Sequence, residues 1–199
     1  MQKLQKNSWV GIFAIGTLTL LWGCESKQNT TQEKTLPPTS EQPSNTPKTL
    51  NTPQSELLRI IIGNTTGDFR GFRFGTPVSE IKAKETFEMF EDSTYHVAFT
   101  YETENFEAID VIYNLDKNQT LSGIQVEVYL NDEIAVRNLF DQFDTYLSGK
   151  YTFHQKKGKI AWWRSSSGKI IQLEDVSKGK DFGIRLIIGP KGTSGLMSV

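Results

Sequence analysis

The sequence predicts an α+β domain: an antiparallel sheet built from two helix-plus-meander units, its helices packed on one face and its other face largely open. Three observations carry that expectation. Alternating apolar and polar runs recur between turn signals across residues 95–130 and again across 151–188. Each set follows a stretch with helix-start chemistry. The alternation also leaves one face of most strands polar, which suits a sheet covered on one side only.

Taken in order, residues 57–62 (LLRIII) are apolar and rich in β-branched side chains, and turn residues follow them. They read as a short strand. In "GTPVSEIKAKE", Thr76 reads as an N-cap and Pro77 as the first helical residue, where a missing N–H is harmless. Three strands follow. Tyr95, Val97, Phe99 and Tyr101 share one face, as do Ile109, Val111, Tyr113 and Leu115, and then Ile124, Val126, Val128 and Leu130. The second helix opens at "NDE", with Asn131 as cap, Asp132 and Glu133 at the positive dipole end, and Gly149 as stop. Its stripe of Val136, Leu139, Phe140, Phe143 and Leu147 reads as core. The second meander is "YTFHQ", "IAWWRS", "KIIQLED" and "FGIRLII", with Tyr151, Phe153, Phe182, Ile184, Leu186 and Ile188 inward.

The first part of the chain reads differently. Lys3 and Lys6 precede an uncharged run from Trp9 to Gly23, shorter than the roughly 20 residues a membrane-spanning helix needs. It ends Leu21-Trp22-Gly23-Cys24, which resembles the lipobox of bacterial lipoproteins, with Trp22 larger than the residue usual there. The resemblance implies that residues 1–23 are a lipoprotein signal peptide and that Cys24 is the lipidated residue, acylated after cleavage. It also implies attachment to the membrane of the cell envelope. Glu25 in place of the Asp retention signal favours the outer membrane in a Gram-negative cell. Residues 24–56 hold five of the seven prolines, no aromatic residue, and only Leu36 and Leu50 as large apolar side chains. Such a segment buries too little apolar surface to offset its ordering entropy and reads as a flexible tether, about 30 Å long on average. The domain then runs over residues 57–189, and 190–199 reads as a disordered tail.

Net charge is −1, which gives no global bias toward nucleic acid. The total conceals a split. Residues 75–148 carry 15 Asp/Glu against 4 Lys/Arg, whereas residues 149–191 carry 3 against 10. The bland account is two charged surfaces solvating one fold; the other is an interaction surface. A single cysteine excludes an intramolecular disulfide and any multi-cysteine metal site.

"GFRFGTPVSEIKAKE", the hairpin "DVIYNLDKNQTLSGIQVEVYL" and the helix after it resemble small envelope lipoproteins of the SmpA/OmlA type. The tandem arrangement resembles the β-lactamase-inhibitor-protein fold. Those resemblances imply a non-catalytic module that binds another envelope protein.

No catalytic constellation, cofactor motif or metal-ligand spacing is visible. His96 and His154 read as exposed strand residues, "SSSG" at 165–168 as a hairpin turn, and Glu88, Glu91 and Asp92 as a solvated acidic edge. The informative feature is Trp162-Trp163, since adjacent strand residues face opposite ways. Ile160 suggests that Trp162 is the inward one. Trp163 is then expected on the outer face with Tyr129, Glu127 and Arg185, beside Ile112, Gln125 and Ile187, as a candidate protein-binding patch. The competing reading is that a loop, the tail or the first strand covers them. A different function also fits: a carrier holding a small apolar ligand between sheet and helices.

Overall fold

Two runs of consecutive antiparallel strands meet edge to edge in one eight-stranded sheet. The computed structural model describes residues 53–193, 195 and 196. Their elements, in chain order, are α1 (Pro53–Ile62), α2 (Val78–Lys84), β1 (Glu88–Asp92), β2 (His96–Glu102), β3 (Ala108–Leu115), β4 (Leu121–Leu130), α3 (Glu133–Lys150), β5 (Thr152–Lys157), β6 (Ile160–Arg164), β7 (Ile170–Asp175) and β8 (Phe182–Gly189). The sheet order is β1-β2-β3-β4-β8-β7-β6-β5, every neighbouring pair antiparallel. The class is therefore α+β. Cys24 and residues 1–52 lie outside the described residues.

The seam between the two halves is β4 against β8. It pairs Ile124 with Ile188, Val126 with Leu186 and Val128 with Ile184. All six are essentially inaccessible to solvent. They form one cluster with Ile109, Val111 and Tyr113 of β3 and with Val136, Leu139, Phe140, Phe143 and Leu147 of α3. The stripe on α3 thus does what its spacing predicts. Asp132 caps this helix, its carboxylate accepting from the Ala135 N–H at 2.8 Å. Asn131, expected in that role, instead reaches sideways, its Nδ2 donating to Asn105 O at 2.8 Å. Gly149 lies inside the helix, which ends at Lys150.

Two other local expectations are corrected. Residues 57–62 belong to helix α1, not to a strand. Leu57 and Ile61, one helical turn apart, are buried together with Ile62, and Gly63 at φ +57° closes the turn by donating to Arg59 O. A short apolar run satisfies either period, and here the i, i+4 spacing wins. Thr76 does not cap α2: its hydroxyl accepts from the Arg73 N–H, and Pro77 occupies the cap position with no side-chain bond. Residues 190–193, 195 and 196 include two turns, Thr193 N–H donating to Pro190 O and Leu196 N–H to Thr193 O. An ideal Cβ on Gly195 would stand 2.7 Å from the Ile187 side chain, so this segment lies against β8.

The main correction concerns β6. Trp163 pairs with Ile171 and Trp162 with Gln172. Trp163 is fully buried on the α3 side, where its indole N–H donates to Ser148 Oγ at 3.0 Å. Trp162 takes the opposite face, donating to Gln172 Oε1 at 3.1 Å. Ile160 and Trp162 lie on one side, Ala161 and Trp163 on the other, so "IAWW" is apolar on both and its alternation carries no phase. Phe153, expected inward, stands edge-on to Trp163 but is half exposed, because β5 is the last strand of the sheet. Tyr95 and Tyr101, expected inward with Val97 and Phe99, are also exposed.

Candidate functional site: the hairpin end of the sheet

The face of the sheet away from α3 is mostly polar along β3 and β4 and mixed further across. Trp162, Gln172 and Ile187 are all buried on it, so this part of the face is not the open surface that the alternation suggests. What stays accessible lies toward the other half. Glu127 faces Arg185 across the seam. Its Oε1 accepts from Arg185 Nε at 3.0 Å and from Gln125 Nε2 at 2.8 Å, and its Oε2 accepts from the Tyr129 hydroxyl at 2.8 Å.

Partial burial of Glu127 works against its charge, but the Tyr129 hydroxyl and the Arg185 guanidinium hold its carboxyl below the usual carboxylate range. Burial, followed by the bond to Glu127, pushes the Tyr129 phenol up to about 12. Of the four expected patch residues, Glu127, Arg185 and Tyr129 are thus brought together. Trp163 is not among them, for it is in the core.

Tyr129 sits opposite Ala108, at the end of the sheet where the β2–β3 hairpin turns. That turn is built on Thr103. Its carbonyl accepts from Phe106 N–H, its N–H donates to Glu107 O, and its hydroxyl accepts from the N–H groups of Asn105 and Glu107. The closure forces Phe106 to φ +62°, a backbone region where a bulky side chain is an outlier. The ring is 90% exposed, so no internal packing compensates. Asn131, through its bond to Asn105 O, holds the turn against the start of α3.

Phe106 and Ile134, the latter 65% exposed in the first turn of α3, line one concavity of about 480 Å³ with Asn131, Ala135 and Asn138. Glu104, Glu107 and Asp132 also line it. A second concavity of about 280 Å³ shares Glu104, Asn105 and Glu107 and adds Leu57, Ile60 and Tyr101. Two apolar anchors beside carboxylates suit a partner with a basic, apolar segment. Phe106 and Ile134 escaped the strand patterning because neither has a phase: one is in a turn and the other on the helix flank. The single signal was an aromatic residue inside the polar turn "ETENFEA".

The histidines hold no shared site. His96 Nε2 lies 3.0 Å from a Glu91 oxygen and its Nδ1 3.2 Å from Ser93 Oγ, whereas His154 is exposed and neighbours Arg164. Among the described residues no three His, Cys, Asp or Glu side chains are grouped to hold a metal ion, and no helix is long and apolar enough to cross a membrane. No protein-family model, curated protein or solved structure matches this chain.

Proposed function

We propose that this chain is a lipid-anchored lipoprotein of the cell envelope whose domain docks another envelope protein, and that docking uses the hairpin end at Phe106, Ile134 and Tyr129. The observation that carries the docking reading is Phe106: a strained backbone presenting a fully displayed ring, on a turn pinned by Asn131. A preorganised aromatic flanked by polar groups suits a hot spot, because little ordering entropy remains to be lost on binding. The packed layer of Leu139, Phe143, Leu147 and Trp163 under α3 favours this reading over carriage of an apolar ligand between helices and sheet. In this proposal the domain derives from two helix-plus-meander units, β1–β4 and β5–β8, with helices serving one face. The meeting of two uninterrupted meanders at β4 and β8 supports it.

The anchor rests on the "LWGC" motif and the proline-rich stretch after it. Labelled palmitate is expected to enter the wild-type chain in cells and to be absent from Cys24→Ser. Labelling of both forms alike refutes the anchor.

For docking, a photo-crosslinking amino acid at Ile134 is expected to give a defined adduct in cells, identified by mass spectrometry, that Phe106→Gly abolishes. Glycine relieves the φ +62° strain, so the same variant is expected to hold or gain about 1 kcal/mol in urea unfolding. Adducts unchanged by Phe106→Gly exclude this surface.

A further inference from the structure

The two free edges of the sheet are opposite in charge and opposite in direction. Among the described residues, β1 is hydrogen-bonded only to β2, and β5 only to β6. Each therefore presents a row of outward backbone N–H and C=O groups with no partner strand. Every residue of both strands is exposed. β1 reads Glu88-Met89-Phe90-Glu91-Asp92 and β5 reads Thr152-Phe153-His154-Gln155-Lys156-Lys157. An acidic edge thus stands at one end of the sheet and a basic edge at the other, and the charge split of the sequence has become a polarity of the fold.

We propose that copies of this chain associate head to tail, the β1 edge of one copy pairing with the β5 edge of the next. Strand direction permits it. Eight strands that alternate throughout put β1 and β5 in opposite senses. A copy displaced sideways without inversion therefore brings its β5 antiparallel to β1, with the helices of both copies on the same side.

Side chains agree with that placement. By ladder position Met89 and Asp92 lie on the α3 side, as do Phe153 and Lys156; Glu88 and Glu91 lie on the other side with Lys157. In the antiparallel register that sets Glu88 opposite Lys157, Met89 stands opposite Lys156 and Asp92 opposite Phe153, so that half-exposed Met89 and Phe153, and Asp92 and Lys156, are diagonal neighbours on the α3 side. Like edges cannot do the same, because β1 on β1 opposes carboxylates and β5 on β5 opposes lysines. Both strands carry a register shift, between Met89 and Glu91 and between Phe153 and Gln155. These bulges limit each joint to a few hydrogen bonds and make it weak and reversible.

Within the chain Asp92 already meets Lys82 at 2.7 Å and Glu91 meets His96, while Lys156 lies 4.7 Å above the Phe140 ring. Edge pairing adds to these exposed contacts and does not depend on breaking a buried one. A head-to-tail joint of this type is heterologous, so repeating it builds an open chain of copies, or a ring where the rotation per copy closes. The surface includes neither Phe106 nor Tyr129, and the proposal stands or falls apart from the docking reading.

The test uses two differently tagged full-length copies in one cell. One carries Phe90→Cys and the other Gln155→Cys, with wild-type copies as the Cys24 background. Oxidation is expected to give a mixed-tag dimer, whereas Phe90→Cys with Phe90→Cys gives only background. Adding Lys156→Glu and Lys157→Glu to the Gln155→Cys copy is expected to lower the mixed dimer about tenfold. Glu88→Lys and Glu91→Lys on the Phe90→Cys copy is expected to do the same, and combining the two reversed copies to restore it. All four reversed residues lie on exposed strands, and unchanged thermal melts of the purified variants confirm that folding is kept. No mixed dimer between the unreversed copies, an equal yield from like edges, or no response to charge reversal each overturns the proposal. The second and third outcomes assign the contact to other surfaces, and the first leaves the edges to strands of another protein.

Discussion

Glu85→Ala is expected to cost about 3–5 kcal/mol in urea unfolding, among the largest effects of any polar substitution in this domain. Glu85 and Arg70 form a salt bridge whose side chains are 2% and 5% exposed. The pair is bidentate, Arg70 Nε donating to Oε2 at 2.9 Å and Nη2 to Oε1 at 2.6 Å. The remaining guanidinium nitrogen donates to the carbonyls of Ile60 and Ile61, the last turn of α1, at 2.7 and 3.0 Å. The guanidinium carbon stands 3.8 Å from the Phe87 ring centre. On the other side Glu85 accepts from the Tyr113 hydroxyl and from the Thr86 and Phe87 N–H groups. One ion pair therefore ties α1, the end of α2 and β3 together. Removing the carboxylate leaves a buried cation that keeps the Ile60 and Ile61 carbonyls but has lost its counter-charge. Replacing both partners by apolar residues of similar volume is expected to be much milder, which separates the cost of an orphaned charge from the worth of the pair.

The same network sets an acid limit. Burial disfavours the Glu85 carboxylate, but Arg70, by its hydrogen bonds and its charge, and then Tyr113, hold it below the usual carboxylate range. A folded-state value below the unfolded one means the stabilisation is complete above the ordinary carboxylate pKa. It is lost as pH falls through the folded value. Unfolding free energy is therefore expected to fall on acidification in the wild type, and Glu85→Ala to flatten that dependence. Burial and the neighbouring carboxylate push the Tyr113 phenol far above its ordinary value, so it remains a neutral donor throughout.

Trp163→Ala is expected to be comparably costly, about 3–5 kcal/mol, because a fully buried indole is removed from beneath α3. Trp163→Phe keeps most of the ring volume and leaves Ser148 without its indole donor, so a loss of about 1–2 kcal/mol is expected. Equilibrium denaturation of the two variants distinguishes volume from hydrogen bond. A Trp163→Ala protein as stable as the wild type contradicts the core placement.

These two sites mark where sequence reading reached its limit. Strands β3, β4 and β8 were legible on the core side because Ile109 to Leu115, Ile124 to Leu130 and Phe182 to Leu186 alternate against neighbours that are mostly polar or glycine, which favours one register. Ile160 to Trp163 is apolar on both faces and fixes none. The Arg70–Glu85–Tyr113 network was invisible for another reason: each residue is ordinary at a surface, and only the tertiary fold brings together a turn arginine, a helix-end glutamate and a strand tyrosine. The outer-face patch was half legible. Glu127, Arg185 and Tyr129 share the phase expected of them, whereas Phe106 belongs to a turn and answers to no periodicity.

The seam between β4 and β8 has a kinetic meaning. Within each half, every strand pairs with a neighbour one turn away along the chain, so those contacts close short loops. β8 reaches β4 only across α3 and three intervening strands. The seam is therefore the strand pairing of longest sequence separation in the sheet, and the slow step of folding is expected to be the search that joins the two runs of strands. Before that step, the apolar edges of Ile124 to Val128 and Ile184 to Ile188 stand unpaired, and a newly made chain is most open there to pairing with a stranger.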